Sequence, residues 1–212
     1  MTADVDFFWD PVCPWAWITS RWVRSVADQR DLEVDWRFIA LRIVNEDRDY
    51  EKDFGPGYEE GHGLGLRLLR VAAAVRSAHG TAPVGDLYTA FGRRIHVEGD
   101  APSLRTPEGL AAVLGSLDLP TELAGAADDT SWDETVRADT TEAIERAGSF
   151  LGTPIVTFAP PDGPSFFGPV ISRVPPPGES LELWDAVEKV ARFPGFAELK
   201  RTRRERPQTA GT

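Results

Sequence analysis

The order of apolar and polar residues changes twice within the first 40 positions. Over residues 4–10, apolar side chains alternate with aspartates, a period of two that predicts a β-strand. From Pro14 the spacing becomes helical, with one apolar face formed by Ile18, Trp22, Val23 and Val26. Residues 32–38 alternate again and predict a second strand. The crossover between the strands is long enough for a right-handed parallel βαβ unit.

Helical spacing replaces the strand pattern for the next hundred residues or so. One helix is expected to end at Gly80, another near Gly99 and the last at Gly148. Thr106 and Pro107 have the residue types of an N-cap and a first helical residue. Ser131–Glu134 is predicted to be a capping box that begins the last helix.

Strand character returns near the end of the chain. Residues 155–158 and 165–167 flank a turn rich in proline and glycine, which predicts an antiparallel hairpin. A closing helix follows, with an apolar face formed by Leu181, Trp184, Val187 and Ala191. The predicted order is βαβ, a helical block, then ββα. We therefore expect an α/β thioredoxin-like fold, with residues 1–44 and 149–212 forming one domain and residues 45–148 an inserted all-helical domain.

Composition restricts the partners and the compartment. The formal charge of −11 argues against a general affinity for nucleic acid or anionic lipid, which bind basic surfaces. The first residues lack the pattern of a secretory signal, and no apolar run is long enough to span a bilayer. We expect a cytoplasmic protein with small-molecule or protein partners. The oligomeric state stays open, with a homodimer as one alternative.

Cys13 is the only cysteine, so the chain cannot form an internal disulfide. It is predicted to lie just before the first helix, where unpaired amides and the positive end of the helix dipole stabilise a thiolate. This position predicts a reactive thiolate with a lowered pKa. The alternative is a small buried core residue, a common role for a lone cysteine.

The sequence Cys13-Pro14-Trp15-Ala16, after a strand that ends in Asp-Pro, resembles the active-site corner of DsbA-type thioredoxin-fold proteins. In those proteins helices are inserted before the second half of the sheet, and a cis-proline faces the cysteine. Thr153-Pro154, just ahead of a predicted strand, matches that proline. The resemblance therefore implies a cis bond at Pro154 and a backbone at Thr153 that pairs with a bound thiol compound.

A more specific resemblance, to the actinobacterial mycothiol-dependent nitroreductases, covers nearly the whole chain. The matching stretches are Asp10–Trp15, Trp17–Trp22, Asn45-Glu46, Arg48-Asp49, Arg94–His96, Gly152–Pro154, Phe166–Val170 and Leu199–Arg203. This family implies a cytosolic reductase that uses mycothiol as co-substrate, holds no tightly bound cofactor, and reduces disulfides or electrophilic and nitroaromatic compounds. Members of the dithiol kind have cysteine at the position of Ala16. Without that thiol, an outside thiolate must release any mixed disulfide on Cys13. Whether Ala16 is native or a substitution that traps an intermediate stays open.

Four further residues are candidates for the thiol and substrate site. The aromatic face of Trp15 is suited to stack on a flat substrate. Asn45 follows the second strand and is expected at the same sheet edge as Cys13, although a turn or cap role is the alternative. His96 is either a site residue or a solvated residue near a helix end. At Thr153 we expect the main chain to act.

The sequence contains no motif for a bound cofactor, and other enzyme classes are alternatives for its function. Three scattered histidines and one cysteine give no metal-ligand spacing, so no metal is expected. No glycine-rich loop follows a strand as a dinucleotide site requires. An alternative function is a kappa-type thiol transferase or a hydroxychromene-carboxylate isomerase, enzymes that share this architecture and activate a bound small thiol. A third interpretation is a binder without catalysis.

Overall fold

The computed structural model describes residues 3–148, 152–202 and 205–212. Its strands are β1 (Val5–Trp9), β2 (Val34–Phe38), β3 (Ile155–Phe158) and β4 (Ser165–Phe167). Its α-helices are α1 (Pro14–Arg30), α2 (Leu41–Val44), α3 (Tyr50–Asp53), α4 (Tyr58–His79), α5 (Val84–Gly92), α6 (Pro107–Gly115), α7 (Asp133–Ala147) and α8 (Pro177–Ala191). A π-helical turn spans Arg93–Val97, and 3₁₀ turns span Ser103–Arg105, Thr121–Asp128 and Thr130–Trp132.

The four strands form one sheet in the order β2-β1-β3-β4. The first two strands are parallel, with Val5 opposite Val34. Strand β3 runs antiparallel to both β1 and β4. The βαβ unit and the C-terminal hairpin are therefore confirmed, and the fold is the predicted α/β arrangement. Because β1 and β3 are neighbours, the end of β1 lies beside the entrance to β3.

The predicted helix boundaries are mostly correct. Gly80 and Gly148 follow α4 and α7 with positive φ angles of 77° and 104°, which glycine adopts without a Cβ clash. Thr106 caps α6 by accepting a hydrogen bond from the Gly109 amide. The capping box at Ser131–Glu134 is wrong, because Ser131 lies inside a 3₁₀ turn that Asp129 caps. The helix expected to end near Gly99 becomes π-helical after Gly92 and ends at Val97, directly before Glu98 and Gly99.

One apolar cluster extends from the sheet into the helices that follow β2. It contains the strand residues Phe7 and Trp9 together with residues of α1, α4 and α5. Trp9 stacks on Tyr88 of α5 with ring centroids 4.1 Å apart. The helical block therefore shares its largest buried cluster with the sheet. Where one domain ends and the other begins stays a prediction, and its second boundary adjoins residues 149–151, outside the described residues.

A network of ion pairs joins the other face of the sheet to α4 and α7. Asp139 of α7 accepts hydrogen bonds from the Arg37 side chain (3.2 Å), the Phe38 amide (3.1 Å) and Arg76 of α4 (2.6 Å). Arg146 of α7 pairs with Asp6 of β1 at 2.7 Å. Glu142 contacts both Arg37 and Arg146. Asp139 is only 6% exposed, so its hydrogen bonds to these partners compensate the free-energy cost of removing its carboxylate from water.

In the part of the chain that the structure describes, no helix is both long enough and apolar enough to cross a lipid bilayer.

Replacing Asp139 with asparagine should weaken the attachment of α7 to the sheet. We expect Asp139→Asn to lower the free energy of unfolding by about 3 kcal/mol, because two arginines lose the charge that compensates them. Asp128, which pairs with Arg67 at an exposed site, is the matched control. Asp128→Asn should cost less than about 1 kcal/mol. Urea unfolding measures both, and equal losses would contradict the structural role of Asp139.

Candidate active site

Cys13 is the N-cap of α1, as its position before Pro14 predicts. Its φ and ψ angles of −81° and 111° are extended, and its sulfur accepts a hydrogen bond from the Ala16 amide at 3.5 Å. The thiol donates to the Thr153 carbonyl at a sulfur–oxygen distance of 3.4 Å. The sulfur therefore bridges the first turn of α1 and the loop that enters β3, 140 residues away.

Burial controls the ionisation of this thiol. Cys13 is 7% exposed, and burial raises its pKa to about 12, with the charge of Asp10 acting in the same direction. Hydrogen bonds from the backbone of Ala16 and Trp15 lower the pKa, as expected at a helix N-terminus, but they do not offset burial. The prediction of a lowered pKa is therefore wrong for this conformation. The resting group is a thiol.

The loop that faces Cys13 contains the proline that the resemblance singles out. The Thr153–Pro154 peptide bond is cis, and both residues are buried. The Thr153 hydroxyl donates to the Phe8 carbonyl in β1 at 3.1 Å, which attaches the loop to the sheet. Its main-chain carbonyl accepts the hydrogen bond from the Cys13 thiol, so the backbone of Thr153, rather than its hydroxyl, contacts the sulfur.

His96 reaches the same corner from the π-helical turn. Its Nε2 lies 2.8 Å from the Pro11 carbonyl, which only accepts, so Nε2 carries the proton. Its ring stacks on Trp17 with centroids 5.7 Å apart. Burial lowers the pKa of His96 to about 4, and the imidazole is neutral at pH 7. The interpretation of His96 as a solvated residue is therefore wrong. Single π-helical turns are frequent at functional sites.

The rest of the first turn of α1 separates into a buried and a half-buried side. Ala16 is fully buried, whereas Pro14 and Trp15 are half-buried. Trp17 is fully buried and stacks against the Arg21 guanidinium at 4.1 Å, which gives it a packing role. Trp15 is thus the aromatic ring of this turn that retains an accessible surface.

Asn45 follows the second strand as expected, but its side chain turns back on its own helix. It is the C-cap of α2, and its Nδ2 donates to the Leu41 carbonyl at 2.8 Å. This is the cap role that the sequence left as the alternative. A role for Asn45 in binding a thiol stays a prediction.

Sequence reasoning missed two contacts of this corner. Asp10 was interpreted only as the end of β1, yet its carboxylate is fully buried and accepts hydrogen bonds from Val12 and Leu41. Trp17 donates from Nε1 to the Thr212 hydroxyl at 2.8 Å, which brings the C-terminal segment to α1. An acidic residue directly before proline at a strand end was the available signal for Asp10. Nothing in the local sequence indicated the second contact.

Among the described residues, no group of three or more His, Cys, Asp or Glu side chains is arranged so that it could hold a metal ion.

The pKa of His96 makes a prediction about acid stability. Because this pKa is lowered, the unfolded chain binds a proton at His96 before the folded chain does, so stability is lost as pH falls from about 6.5 to about 4. His96→Gln keeps a donor for the Pro11 carbonyl but does not titrate. Between pH 7 and pH 4.5 the variant should gain about 2 kcal/mol relative to the unsubstituted chain. A difference in unfolding free energy that does not change with pH would contradict the burial of a neutral His96.

Solved structures with this architecture include thiol enzymes of the DsbA type. The cytosolic disulfide reductase DsbM from Pseudomonas aeruginosa aligns with a TM-score of 0.56 and 18% identity, over 88% of this chain and 99% of DsbM. A 2-hydroxychromene-2-carboxylate isomerase aligns with a TM-score of 0.59 and 17% identity, over 89% of this chain and 96% of the isomerase. At these identities the similarity establishes the fold, which is the DsbA type of the thioredoxin fold.

Sequence comparison places the chain more narrowly. It is 30% identical over 202 residues to the uncharacterized protein Rv2286c of Mycobacterium tuberculosis (strain ATCC 25618 / H37Rv), covering 93% of this chain and 81% of the relative. The family model described as mycothiol-dependent nitroreductase Rv2466c matches residues 12–201, which include Cys13, His96 and the Thr153–Pro154 loop. The chain therefore belongs to the Rv2466c-like family of mycothiol-dependent nitroreductases.

Proposed function

We propose that this protein is a cytoplasmic thiol-dependent oxidoreductase in which Cys13 is the single reacting sulfur and mycothiol is the co-substrate. The observation that carries the proposal is the position of the Cys13 sulfur, between the Ala16 amide and the Thr153 carbonyl beside Pro154. Membership of the Rv2466c-like family supports mycothiol as the thiol. The substrates we propose are disulfides and electrophilic or nitroaromatic compounds, and we expect no nucleic-acid or membrane partner.

In the proposed cycle, the Cys13 thiolate attacks one sulfur of a disulfide. A bond forms between Cys13 and that sulfur, and the other half leaves as a thiolate. A mycothiol thiolate then attacks the outer sulfur of the mixed disulfide, which releases Cys13 and forms a new disulfide. Ala16 provides no second thiol, so each cycle consumes an outside thiol at this step.

The buried resting thiol requires that binding, rather than the empty site, generates the thiolate. The thiol proton is held by the Thr153 carbonyl, an acceptor that repels a negatively charged sulfur. A bound compound whose own N–H donates to this carbonyl would take the place of the thiol proton. The Ala16 amide would then remain as the donor to the thiolate. Trp15, half-buried next to Cys13, is the residue we propose to stack on flat substrates.

The raised pKa of Cys13 favours one second candidate. In a thiol transferase or an isomerase of the 2-hydroxychromene-2-carboxylate type, the corner residue orients a bound small thiol and forms no disulfide. A neutral thiol that already donates to one group and accepts from another is suited to that task. Cys13→Ser separates the two candidates, because serine keeps a donor and an acceptor but forms no disulfide.

Mass spectrometry after incubation with oxidised mycothiol tests the leading proposal. The chain should gain one mycothiol adduct, located at Cys13, and reduced mycothiol should remove it. Cys13→Ser is the control and should gain none. The variant should also lose essentially all reductase activity. A Cys13→Ser protein that keeps much of its activity would support the transferase or isomerase candidate instead.

Restoring a second thiol tests the monothiol part of the proposal. Position 16 is fully buried one turn after Cys13, and its amide already contacts the Cys13 sulfur. In Ala16→Cys, the mycothiol adduct should resolve without added thiol, leaving an internal disulfide that mass spectrometry detects as the loss of two hydrogen atoms. Ala16→Ser, similar in size, should retain its adduct. An adduct that is equally stable in both variants would show that the two positions do not exchange.

A further inference from the structure

Asp10 is a buried acid that the proposed cycle does not use. It directly follows β1 and is fully buried, so its carboxylate is removed from water. Its Oδ1 accepts from the Val12 amide at 3.0 Å and its Oδ2 from the Leu41 amide at 2.8 Å. Its backbone carbonyl also accepts from the Cys13 amide at 3.1 Å. One residue thus contacts the end of β1, the turn that carries Cys13 and the start of α2.

Helix α4 approaches this carboxylate closely at Gly65. A Cβ added at Gly65 would lie 2.5 Å from Oδ1 of Asp10, closer than any ordinary contact. In contrast, a Cβ added at Gly61 or Gly63 of the same helix would meet no atom within 4 Å. The close approach of α4 therefore seals Asp10 from solvent, and it depends on the absence of a side chain at Gly65.

The groups around Asp10 make its charge state matter to Cys13. The carboxylate accepts from the Val12 amide in the turn and from the Leu41 amide of α2. Its charge acts on the Cys13 thiol, three residues later, and on the Tyr88 hydroxyl of α5. The contact from α4 is Gly65, which carries no charge. Burial raises the pKa of Asp10 to about 7, with the two amides opposing it. Ionised Asp10 in turn raises the pKa of Cys13.

We propose that Asp10 is a positioning residue whose carboxylate holds the Cys13 turn against α2 through the Val12 and Leu41 amides, and whose charge suppresses formation of the Cys13 thiolate. The inference rests on the proposed function, in which Cys13 is the reacting sulfur. Below neutral pH the acid is uncharged and does not oppose the thiolate. Above neutral pH the carboxylate repels it. Above neutral pH, a charge three residues before Cys13 therefore adds to burial in favouring the thiol form.

Alkylation by iodoacetamide measures this coupling directly, because Cys13 is the only cysteine. For the unsubstituted chain, the logarithm of the rate should rise with unit slope on both sides of neutral pH. Near pH 7, as Asp10 ionises, the measured rate should fall about threefold to tenfold below the line extrapolated from acid pH. This offset between the acid and the alkaline line is called the break. A single line with no break, measured on the folded unsubstituted chain, would overturn the inference.

Asp10→Asn assigns the break to Asp10. The folded variant, checked by circular dichroism, should give one unit-slope line that matches the unsubstituted chain at acid pH and exceeds it above pH 7. A merely structural role would instead shift the rate equally at every pH, and a break that persists in Asp10→Asn overturns the proposal.

Gly65→Ala provides a second assignment if Asp10→Asn does not fold. The added methyl presses on Oδ1, so the break should move along the pH axis, whereas in the control Gly63→Ala it should stay in place. An unmoved break in Gly65→Ala contradicts the role of Asp10. These rates do not involve mycothiol. A chain that shows the break but forms no mycothiol adduct would contradict the proposed function and leave the coupling intact.

Discussion

The hydrogen bond from the Cys13 thiol to the Thr153 carbonyl is the contact on which the site depends. It requires β1 and β3 to be neighbours, since only then does the end of the first strand meet the entrance to the third. The Thr153 hydroxyl donates to the Phe8 carbonyl of β1, and this second hydrogen bond also holds the Thr153 loop against β1. In sequence, β1 and β3 are separated by the whole helical block, whereas in the sheet they are neighbours. This sheet order therefore creates the corner.

Two opposing effects act on the sulfur at this corner. The helix N-terminus supplies amides that favour the thiolate, whereas burial and the nearby charge of Asp10 favour the thiol. Burial is the larger effect. Beside the corner, Gly65 of α4 lies against the Asp10 carboxylate, and Tyr88 of α5 stacks on Trp9. Any compound that reacts with Cys13 must first change those surroundings.

Local sequence signals predicted the parts of the structure that neighbouring residues determine. The alternation of β1, Pro14 at the start of α1, and the glycines after α4 and α7 each act over a few residues, so a pattern sufficed. The position of Cys13 at a helix N-terminus followed from them. The cis bond at Pro154 came from the family resemblance, since a proline at a strand entrance does not by itself indicate its isomer.

What the sequence did not predict depends on residues far apart in the chain. The sequence predicts a lowered pKa for Cys13, whereas burial raises it. A helix N-terminus is visible in the local sequence, but burial depends on distant residues. The burial of Asp10 requires Leu41 and Gly65, 31 and 55 positions later. At Ser131 a local pattern was present but a competing one was stronger, because Asp129 caps the preceding 3₁₀ turn. His96 was identified as a candidate, yet its contact with Pro11 needed the π-helical turn.

The central claim is that the resting sulfur is a buried thiol. Thiolate absorbance near 240 nm, taken as the difference between the unsubstituted chain and Cys13→Ser to remove the tyrosine contribution, measures it directly during a pH titration. The account predicts no thiolate signal up to about pH 9, the ordinary range of a cysteine, and a rise only in more alkaline solution. A thiolate that forms fully below pH 7 would contradict the account and show that the helix amides outweigh burial.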